Sequence, residues 1–546
     1  MSELRADITP GRKGHDTVRV IGEGGREIWL HSPYDPIREA ATFVPGPLAA
    51  STFVFLGAGL GYHLPPTLAA NPQVSRVIIV ERYPDLACRS VRQIVDPRIR
   101  VEIVTPTATD PLPLLPEWLD ADDLAIVPHP PSLNANPSWY DRYQVACATA
   151  GRAGRQTALQ RRGALTILVP FEAYYTQREC INGFTALGHR VVTLDSRGRE
   201  GDEVALFREA LRGELPDLVF SVNMRGLDRR GIVAEILAGL GIPLALWFVD
   251  SPEFILYGEA LSPREGCHVF MWDRAYIPDV EALGYDVSFL PLAADETLSA
   301  AAVPTDRFRA DISFVGNSLV SGFLARLAVK FPVTAETTAF AERAIDRIIA
   351  RRGDQRRCLD ELIAEAGRLL LDEEQRRFFR AFLLHGATSA YRTRVLSRLI
   401  PLGLTFFGDP DGWRAVFGPG ITAHPDVNYF HETPAVYASS AVNINATSLQ
   451  MPRTVNQRAF DVPLCGGFLL TDRQEALFEL FAEDEVAVYD GIDDVADKAR
   501  FYLDHPELRR QIAARARRRV LGGHTYRHRM GRVIEVLFGP RDGAGR

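Results

Sequence analysis

Several features that define whole classes of protein are scarce in this chain or missing from it. Only six cysteines occur among 546 residues, and they lack the spacing of a zinc site or the density of a disulfide framework. No apolar run is long enough to span a bilayer, and the N-terminus has no signal-peptide core. No strong charge excess exists either, because 62 basic and 69 acidic residues give a net charge of −7. We therefore expect a cytoplasmic protein without a metal site, a transmembrane segment or a nucleic-acid partner.

The composition that is present is that of an ordinary folded protein, with 46% apolar and 24% charged residues. A chain of 546 residues exceeds the size of a single hydrophobic core, so two to three domains are expected. Apolar strands alternate with amphipathic helices along most of the sequence, which is typical of an α/β fold with parallel sheets. We predict domains at 1–160, 161–305 and 306–546, the last with a helical insertion at about 337–399.

The first predicted domain contains a glycine-rich turn directly after a strand at 52–56. Gly57, Gly59 and Gly61 would let a backbone approach a ligand at the start of the next helix. Glu81 ends the following strand, where a carboxylate is placed to accept ribose hydroxyls. These four residues form a candidate second ligand site. In the alternative interpretation, the glycines only make a tight turn between strand and helix.

Polar residues follow the apolar strands of the second predicted domain. Asn223, Asp250 and Asp273 each come directly after such a strand. The carboxyl ends of parallel strands form the ligand crevice of a doubly wound sheet, so these side chains are candidates to line it. Each of them can instead serve as a turn residue or a helix cap.

Five segments in the later part of the chain share their pattern with one known family: WFVDSP at 247–252, FMWD at 270–273, NIN at 443–445, TVNQRAFDVPLCGGFLLTD at 454–472 and HTY at 524–526. They resemble the GT-B glycosyltransferases, and among these the CgeB-like proteins, from about residue 165 to the C-terminus. Separately, LHSPYDP at 30–36, with EA at 39–40 and GAGLGYH at 57–63, is similar to the Rossmann-like part of Maf motility-accessory proteins.

These resemblances imply a fold and a reaction. The fold is α/β of GT-B type, in which two Rossmann-like domains face a cleft, with an extra Rossmann-like domain at the N-terminus. The reaction moves a sugar from a nucleotide-sugar donor to a protein, for which the Maf-like part suggests flagellin, or to a surface glycan. Neither a cofactor nor a metal ion is implied. The last helix, which His524 and Tyr526 open, would return to the acceptor-side domain.

The family resemblance also assigns roles to residues of the nucleotide-binding domain. Asp461 aligns with the second of two glutamates that many retaining members use, so its carboxylate is predicted to accept ribose hydroxyls. The first glutamate is replaced by Arg453, which cannot accept hydrogen bonds. With Arg458, it is predicted to clamp the diphosphate, although both arginines could instead form surface ion pairs. The remaining candidates on the nucleotide side are Gly316, Asn317, Asn445, Cys465, Gly466 and Gly467.

The identity of the catalytic base depends on the stereochemistry, which stays open. An inverting transfer needs a group that takes the proton of the acceptor hydroxyl, and Asp250 is the first candidate, with Glu253 next. We expect Asp250 to face the turn formed by Gly316 and Asn317. A retaining transfer needs no such base.

Two other functions remain open at this point. The glycine turn with Glu81 also resembles an S-adenosylmethionine site, which would make the protein a methyltransferase or a bifunctional enzyme. Alternatively, the chain is a non-catalytic interaction protein that keeps the GT-B fold, because the first glutamate and the usual Arg/Lys pair of the family are missing.

Overall fold

The computed structural model describes residues 6–23, 25–48, 50–107, 124–140, 143, 163–170, 175–194, 203–213, 215–256, 264, 266–320, 324–369 and 372–539. The chain divides into two compact units. Unit 1 comprises residues 1–165 and 229–243, and unit 2 comprises 166–228 and 244–546. None of the helices in the described ranges combines the length and apolarity that a bilayer crossing requires.

Unit 1 contains a three-stranded antiparallel sheet and a four-stranded parallel sheet. The antiparallel strands, in the order β1-β2-β3, are β1 (Ala6–Pro10), β2 (Asp16–Ile21) and β3 (Glu27–Trp29). The parallel sheet has the order β6-β5-β4-β7, with β4 (Thr52–Leu56), β5 (Arg76–Val80), β6 (Arg100–Val104) and β7 (Leu124–Pro128). The helices before residue 140 are α1 (Pro36–Ala40), α2 (Leu64–Ala70), α3 (Pro84–Val91) and α4 (Pro130–Ala135).

The first half of unit 2, called half A, is built on a six-stranded parallel sheet. Its strands are β8 (Thr166–Val169), β9 (Arg190–Thr193), β10 (Leu218–Val222), β11 (Leu244–Phe248), β12 (Cys267–Met271) and β13 (Asp286–Phe289). The order is β13-β12-β11-β10-β8-β9, so the direction of winding reverses between β8 and β10. The helices in this part of the chain are α5 (Tyr175–Ala186), α6 (Glu203–Gly213), α7 (Ile232–Leu240, counted with unit 1), α8 (Pro252–Ile255) and α9 (Ile277–Ala282).

The second half of unit 2, called half B, repeats this architecture. Its strands are β14 (Ala310–Val315), β15 (Leu404–Phe407), β16 (Thr422–His424), β17 (Ser440–Asn445), β18 (Leu469–Asp472) and β19 (Ala487–Tyr489). All pairs are parallel, and the order β16-β15-β14-β17-β18-β19 reverses between β14 and β17. Two doubly wound sheets in one compact unit are the GT-B architecture, which confirms the predicted fold class.

A helical insertion lies between β14 and β15, where a long amphipathic stretch is expected. Its helices are α10 (Ala325–Ala328), α11 (Ala335–Ala350), α12 (Gln355–Glu365) and α13 (Glu373–Ser397). Helix α13 begins where Asp372 accepts a hydrogen bond from the Gln375 backbone N–H. Phe379, Leu383 and Ala387 recur every four residues and are buried, so this face of α13 belongs to the core of half B.

The helices of half B that follow the insertion end in two long C-terminal helices. They are α14 (Pro410–Phe417), α15 (Thr433–Ser439), α16 (Arg458–Leu464), α17 (Leu477–Leu480), α18 (Val495–Asp504), α19 (Pro506–Gly523) and α20 (Tyr526–Phe538). Helix α20 packs against α5 of half A. Two features fix this return: a parallel bridge joins Ala294 to Thr525, and the buried Arg529 side chain donates to the carbonyls of Pro291 and Leu292.

Candidate functional site

A cavity of about 590 Å³ opens between the two halves of unit 2. It lies at the carboxyl ends of β14 and β15, beside the position at which the strand order of half B reverses. This is where doubly wound sheets bind their ligands. Half A contributes Thr176, Glu179 and Leu292; the polar or charged side chains that half B contributes are Asn317, Asp426, Tyr429, Thr433, Tyr437, Asn456, Gln457, Arg458 and Asp461.

One wall of the cavity is a hydrogen-bonded cluster of side chains from both halves. The Tyr429 hydroxyl lies 2.6 Å from Oε1 of Glu179 and 2.8 Å from Oδ2 of Asp461. Gln457 Nε2 donates to Glu179 Oε1 and to the Tyr429 hydroxyl, both at 2.5 Å. Tyr526 donates to Oε1 of Gln457 at 3.0 Å, which fixes the direction of that amide. The cluster thus joins α5 of half A to α16 and α20 of half B.

Burial changes the acid–base properties of the two carboxyl groups in this cluster. Glu179 and Asp461 are both almost fully buried. Burial raises the pKa of Asp461 to about 8. Burial, followed by the proximity of Asp461, raises the pKa of Glu179 well above its usual value. Burial thus favours the un-ionised form of both carboxyl groups.

The positive charge in the cavity comes from Arg458, at the start of α16. Its guanidinium lines the cavity and donates from Nε and Nη2 to the carbonyl of Val315, at 2.9 and 2.5 Å. It also closely approaches Gly316, because a Cβ built there would lie 2.8 Å from Nη2 of Arg458. Gly316 and Asn317, predicted as donor contacts, line the same cavity. A cation and a backbone turn thus lie within one cavity with the buried carboxyl pair.

Two other residues predicted on the nucleotide side do not line this cavity. Arg453 is exposed, and its backbone N–H donates to Oδ2 of Asp273 at 3.0 Å. Asn445 is buried within half B, where its side chain bonds to Thr471 and Asn456 at 2.9 and 2.7 Å. Asn445 is thus engaged in the interior of the domain.

Cys465, Gly466 and Gly467 lie at the opposite end of α16 from Arg458. Cys465 is buried, and burial raises the pKa of its thiol. Gly467 packs against the backbone of Tyr437. None of the three lines the cavity, so the structure separates them from Arg458 and Asp461.

The two predicted catalytic carboxylates also lie outside the lining of the cavity. Asp250 accepts hydrogen bonds from Asn223 at 2.8 Å and from Gln450 at 3.4 Å. The N-cap position of α8 is Ser251, the residue that follows Asp250. Glu253 forms a bidentate ion pair with Arg380 of the insertion, at 2.9 and 3.0 Å. From half B, Gln450 approaches Asp250, and the orientation of Asp250 towards the turn at residues 316–317 stays a prediction.

Asp273 serves as a cap, which is the alternative role predicted for the polar residues that follow the strands. Its Oδ1 accepts from the Ala275 N–H at 2.9 Å, which caps the turn after β12. Its Oδ2 accepts from the Arg453 N–H of half B. Burial raises the pKa of Asp273 to about 6.

In unit 1, the glycine turn after β4 packs against protein side chains. Glu81 is fully buried, and its Oε2 accepts from the N–H groups of Ala58 and Gly59 at 2.8 and 2.9 Å. Its Oε1 accepts from the Tyr140 hydroxyl at 3.0 Å and from the Tyr83 N–H at 3.2 Å. Four donors from the protein thus bind the carboxylate that was predicted to bind ribose. In this arrangement Glu81 stabilises the turn itself, which supports the alternative interpretation of the motif.

Replacing Gly59 by alanine is expected to destabilise unit 1 by about 2–3 kcal/mol. Gly59 has a φ of +52°, and a Cβ there would clash with Nε2 of His31. A left-handed conformation costs a residue with a Cβ about 1–2 kcal/mol, and crowding adds to this. Gly14→Ala is the matched control, since Gly14 has a φ of +83° with no described atom within 4 Å of the added Cβ. Equal losses in urea denaturation would mean that the contact with His31 costs nothing.

Three members of the cavity wall were not among the predicted site residues. Glu179, Tyr429 and Gln457 come together across 250 and 278 positions of sequence separation. Glu179 lies within an otherwise ordinary helix, and Tyr429 lies in a loop without a recognisable motif. Only Gln457 lies inside the segment that carries the family resemblance, where its neighbour Arg458 was selected instead.

In the described ranges, no group of three or more His, Cys, Asp or Glu side chains is arranged to hold a metal ion.

Comparisons with known proteins bear on the class of this site. Residues 370–535 match the sequence profile of a family described as glycosyl transferase-like. No curated protein matches the chain in sequence. The match lies in half B, so a glycosyltransferase-like domain contains Arg458 and Asp461, in agreement with the predicted enzyme class. The CgeB-like and Maf-like resemblances stay predictions.

Similar solved structures have low sequence identity to this chain. Sucrose-phosphate synthase from Thermosynechococcus elongatus is 14% identical with a TM-score of 0.40, over 69% of this chain and 99% of that chain. A glycosyltransferase from Rickettsia africae is 10% identical with a TM-score of 0.41, over 69% and 99%. HepE from Anabaena, in complex with UDP-glucose, is 11% identical with a TM-score of 0.38, over 68% and 99%.

Proposed function

We propose that this protein is a glycosyltransferase that binds a nucleotide-sugar donor in the cavity between halves A and B of unit 2. The observation that carries the proposal is the pairing, in one cavity, of the Arg458 guanidinium with the Asp461 carboxyl group. A nucleotide sugar presents a diphosphate, which needs a cation, and hydroxyl groups, which need acceptors. The GT-B architecture and the profile match support the same function.

The proposed roles follow from the chemistry of the lining residues. Arg458 and the backbone at Gly316 and Asn317 bind the diphosphate, whose negative charge grows as the bond to the sugar breaks. Asp461 accepts a hydroxyl of the donor. Asp250 and Glu253 lie outside the lining, so the donor site that we propose includes neither of them. No step of this proposal requires a metal ion or a cofactor.

The acceptor and the cellular location belong to the same proposal. The Maf-like segment of unit 1 supports a protein acceptor such as flagellin, and a surface glycan is the alternative. The transfer would then take place in the cytoplasm, as the scattered cysteines predict.

A thermal-shift screen of the full chain with UDP, GDP, CMP, dTDP and S-adenosylmethionine tests this function. A ligand that binds only the folded state raises stability by RT ln(1 + [L]/Kd), so at least one nucleotide is expected to raise Tm. A response to S-adenosylmethionine alone would favour a methyltransferase. No response to any of the five would favour the non-catalytic interpretation and contradict the proposal.

A further inference from the structure

The number of hydrogens available to the Glu179–Tyr429–Asp461 cluster is limited. The Tyr429 hydroxyl lies within hydrogen-bond distance of carboxyl oxygens on both sides, at 2.6 and 2.8 Å. A hydroxyl carries one hydrogen and can donate to only one of these oxygens. The second short contact between oxygens therefore requires a hydrogen on a carboxyl group.

The Gln457 amide is the other donor of the cluster, but its hydrogens stay on nitrogen and cannot lie between two oxygens. Gln457 Nε2 lies 2.5 Å from both Glu179 Oε1 and the Tyr429 oxygen, which are themselves 2.6 Å apart, so one of its hydrogens is shared between them. The amide cannot be turned without loss, because Tyr526 donates to its Oε1. With Tyr429 donating to one carboxylate and accepting from the other carboxyl group, one shared proton satisfies both short contacts between oxygens.

The two carboxyl groups each keep an oxygen that the cluster does not use. Glu179 Oε2 and Asp461 Oδ1 are buried, and neither has a hydrogen-bond partner among the residues that the structure describes. Both residues line the cavity. Buried acceptors of this kind are costly unless a ligand or solvent supplies donors.

The other ionisable groups around the pair do not neutralise it completely. Asp295 adds negative charge near both carboxyl groups, and Arg458 adds positive charge near Asp461. The surrounding groups that carry no charge at neutral pH are Cys180, Cys465, Tyr437 and Tyr526, all of which have a raised pKa. If both carboxyl groups were ionised, their two negative charges and that of Asp295 would be opposed by the positive charge of Arg458. A pair that carries one negative charge leaves a smaller excess of negative charge.

We propose that Glu179 and Asp461 share one proton through Tyr429, and that in this singly charged state their two unused oxygens bind hydroxyl groups of the ligand. Glu179 is then a specificity-determining residue that half A contributes to the site. The hydroxyl-binding part rests on the proposed function. The part of the ligand that contacts this wall is an uncharged group with several hydroxyls. Its phosphates bind at Arg458.

Infrared difference spectroscopy tests the shared proton without any ligand. The substitution Asp461→Asn supplies an amide hydrogen to Tyr429 and makes the carboxyl proton unnecessary. At pH 7, the wild-type spectrum minus the Asp461→Asn spectrum is expected to contain the carbonyl band of one un-ionised carboxyl group. The band should disappear from the wild type only at a pH above the ordinary range of a carboxyl group, because burial raises the pKa of both Glu179 and Asp461.

Glu253→Gln is the matched control for the infrared measurement. The Glu253 carboxylate forms an ion pair with Arg380, so its amide variant should lose no such band. Other buried acids, such as Glu81, contribute equally to each spectrum and cancel. Absence of the band from the wild-type minus Asp461→Asn spectrum, with the variant folded by circular dichroism, overturns the shared proton.

Calorimetric titration tests the hydroxyl-binding part with UDP, GDP, CDP and dTDP as probes. Glu179→Ala and Asp461→Ala should each weaken the best-binding probe by about tenfold, the usual effect of a lost hydrogen bond. Asp461→Asn should bind more tightly than Asp461→Ala, because Asn keeps an oxygen at the Oδ1 position.

The outcomes of the titration separate this inference from the proposed function. Equal affinity of the wild type and both alanine variants would overturn hydroxyl binding by the pair, while the proposed function stands. If no probe binds the wild type, the proposed function and hydroxyl binding both fail. The shared proton is then still decided by the infrared result.

Discussion

Replacing Arg458 by alanine is expected to raise the Kd for a nucleoside diphosphate by about tenfold to a hundredfold. Hydrogen bonds to a charged group contribute about 1.5–3 kcal/mol, and Arg458 is the arginine that lines the cavity of unit 2. The affinity for the corresponding nucleoside, which lacks the diphosphate, should change much less. Isothermal titration with UDP and uridine, or with the pair that the thermal-shift screen selects, measures both values.

Arg453→Ala is the matched control for this experiment. The sequence alone assigns Arg453 and Arg458 the same role, but Arg453 is exposed and lies outside the lining of the cavity. Its replacement should leave the Kd for the diphosphate within about twofold, as expected for a surface side chain. If the two variants lose affinity equally, the diphosphate does not bind where we propose.

Replacing Asp472 by alanine is expected to lower the free energy of unfolding of unit 2 by about 3–5 kcal/mol, the usual cost of breaking a buried ion pair. Asp472 ends β18 and is fully buried. Its Oδ1 accepts from the N–H and the hydroxyl of Thr447, at 3.0 and 2.7 Å. Its Oδ2 accepts from Arg352, which follows α11 in the insertion, so the substitution would leave a largely buried guanidinium without its carboxylate.

Asp490→Ala provides the comparison for Asp472→Ala. Asp490 forms an ion pair with Arg473, but both side chains are more than half exposed. Exposed ion pairs contribute about 0–1 kcal/mol, so the midpoint of urea denaturation should hardly change. A loss of similar size in both variants would show that burial of Asp472 does not determine its contribution.

Much of the fold follows from the sequence because parallel strands buried on both faces read as continuous apolar runs. The predicted strands at 52–56 and 404–407 coincide with β4 and β15. The antiparallel strands β1 to β3 were not predicted, because they are short and carry few buried side chains. In β2, for example, Val18 and Val20 are buried while Arg19 between them is partly exposed.

The candidate site is less predictable because its members meet through tertiary structure. Asp461 and Arg458 lie in one helix within the segment that carries the resemblance, and both line the cavity. Asn445, in contrast, was predicted on the nucleotide side as well, but it ends β17 and its amide is used inside half B. Glu179 is connected to Asp461 through Tyr429, and no local pattern in the sequence relates residues so far apart.

The return of α20 to half A has a mechanical consequence. The chain passes between the two halves of unit 2 twice, near Ala294 and near Thr525, and a parallel bridge joins these two crossings. Backbone hydrogen bonds connect Ala294 to His524 and Tyr526 on either side of Thr525. Two connections tied side by side resist sliding and separation at this point, so rotation about it is the movement that stretches neither of them. Opening of the cavity for substrate exchange would therefore be a swing about this point, with the widest displacement at the lining residues farthest from it.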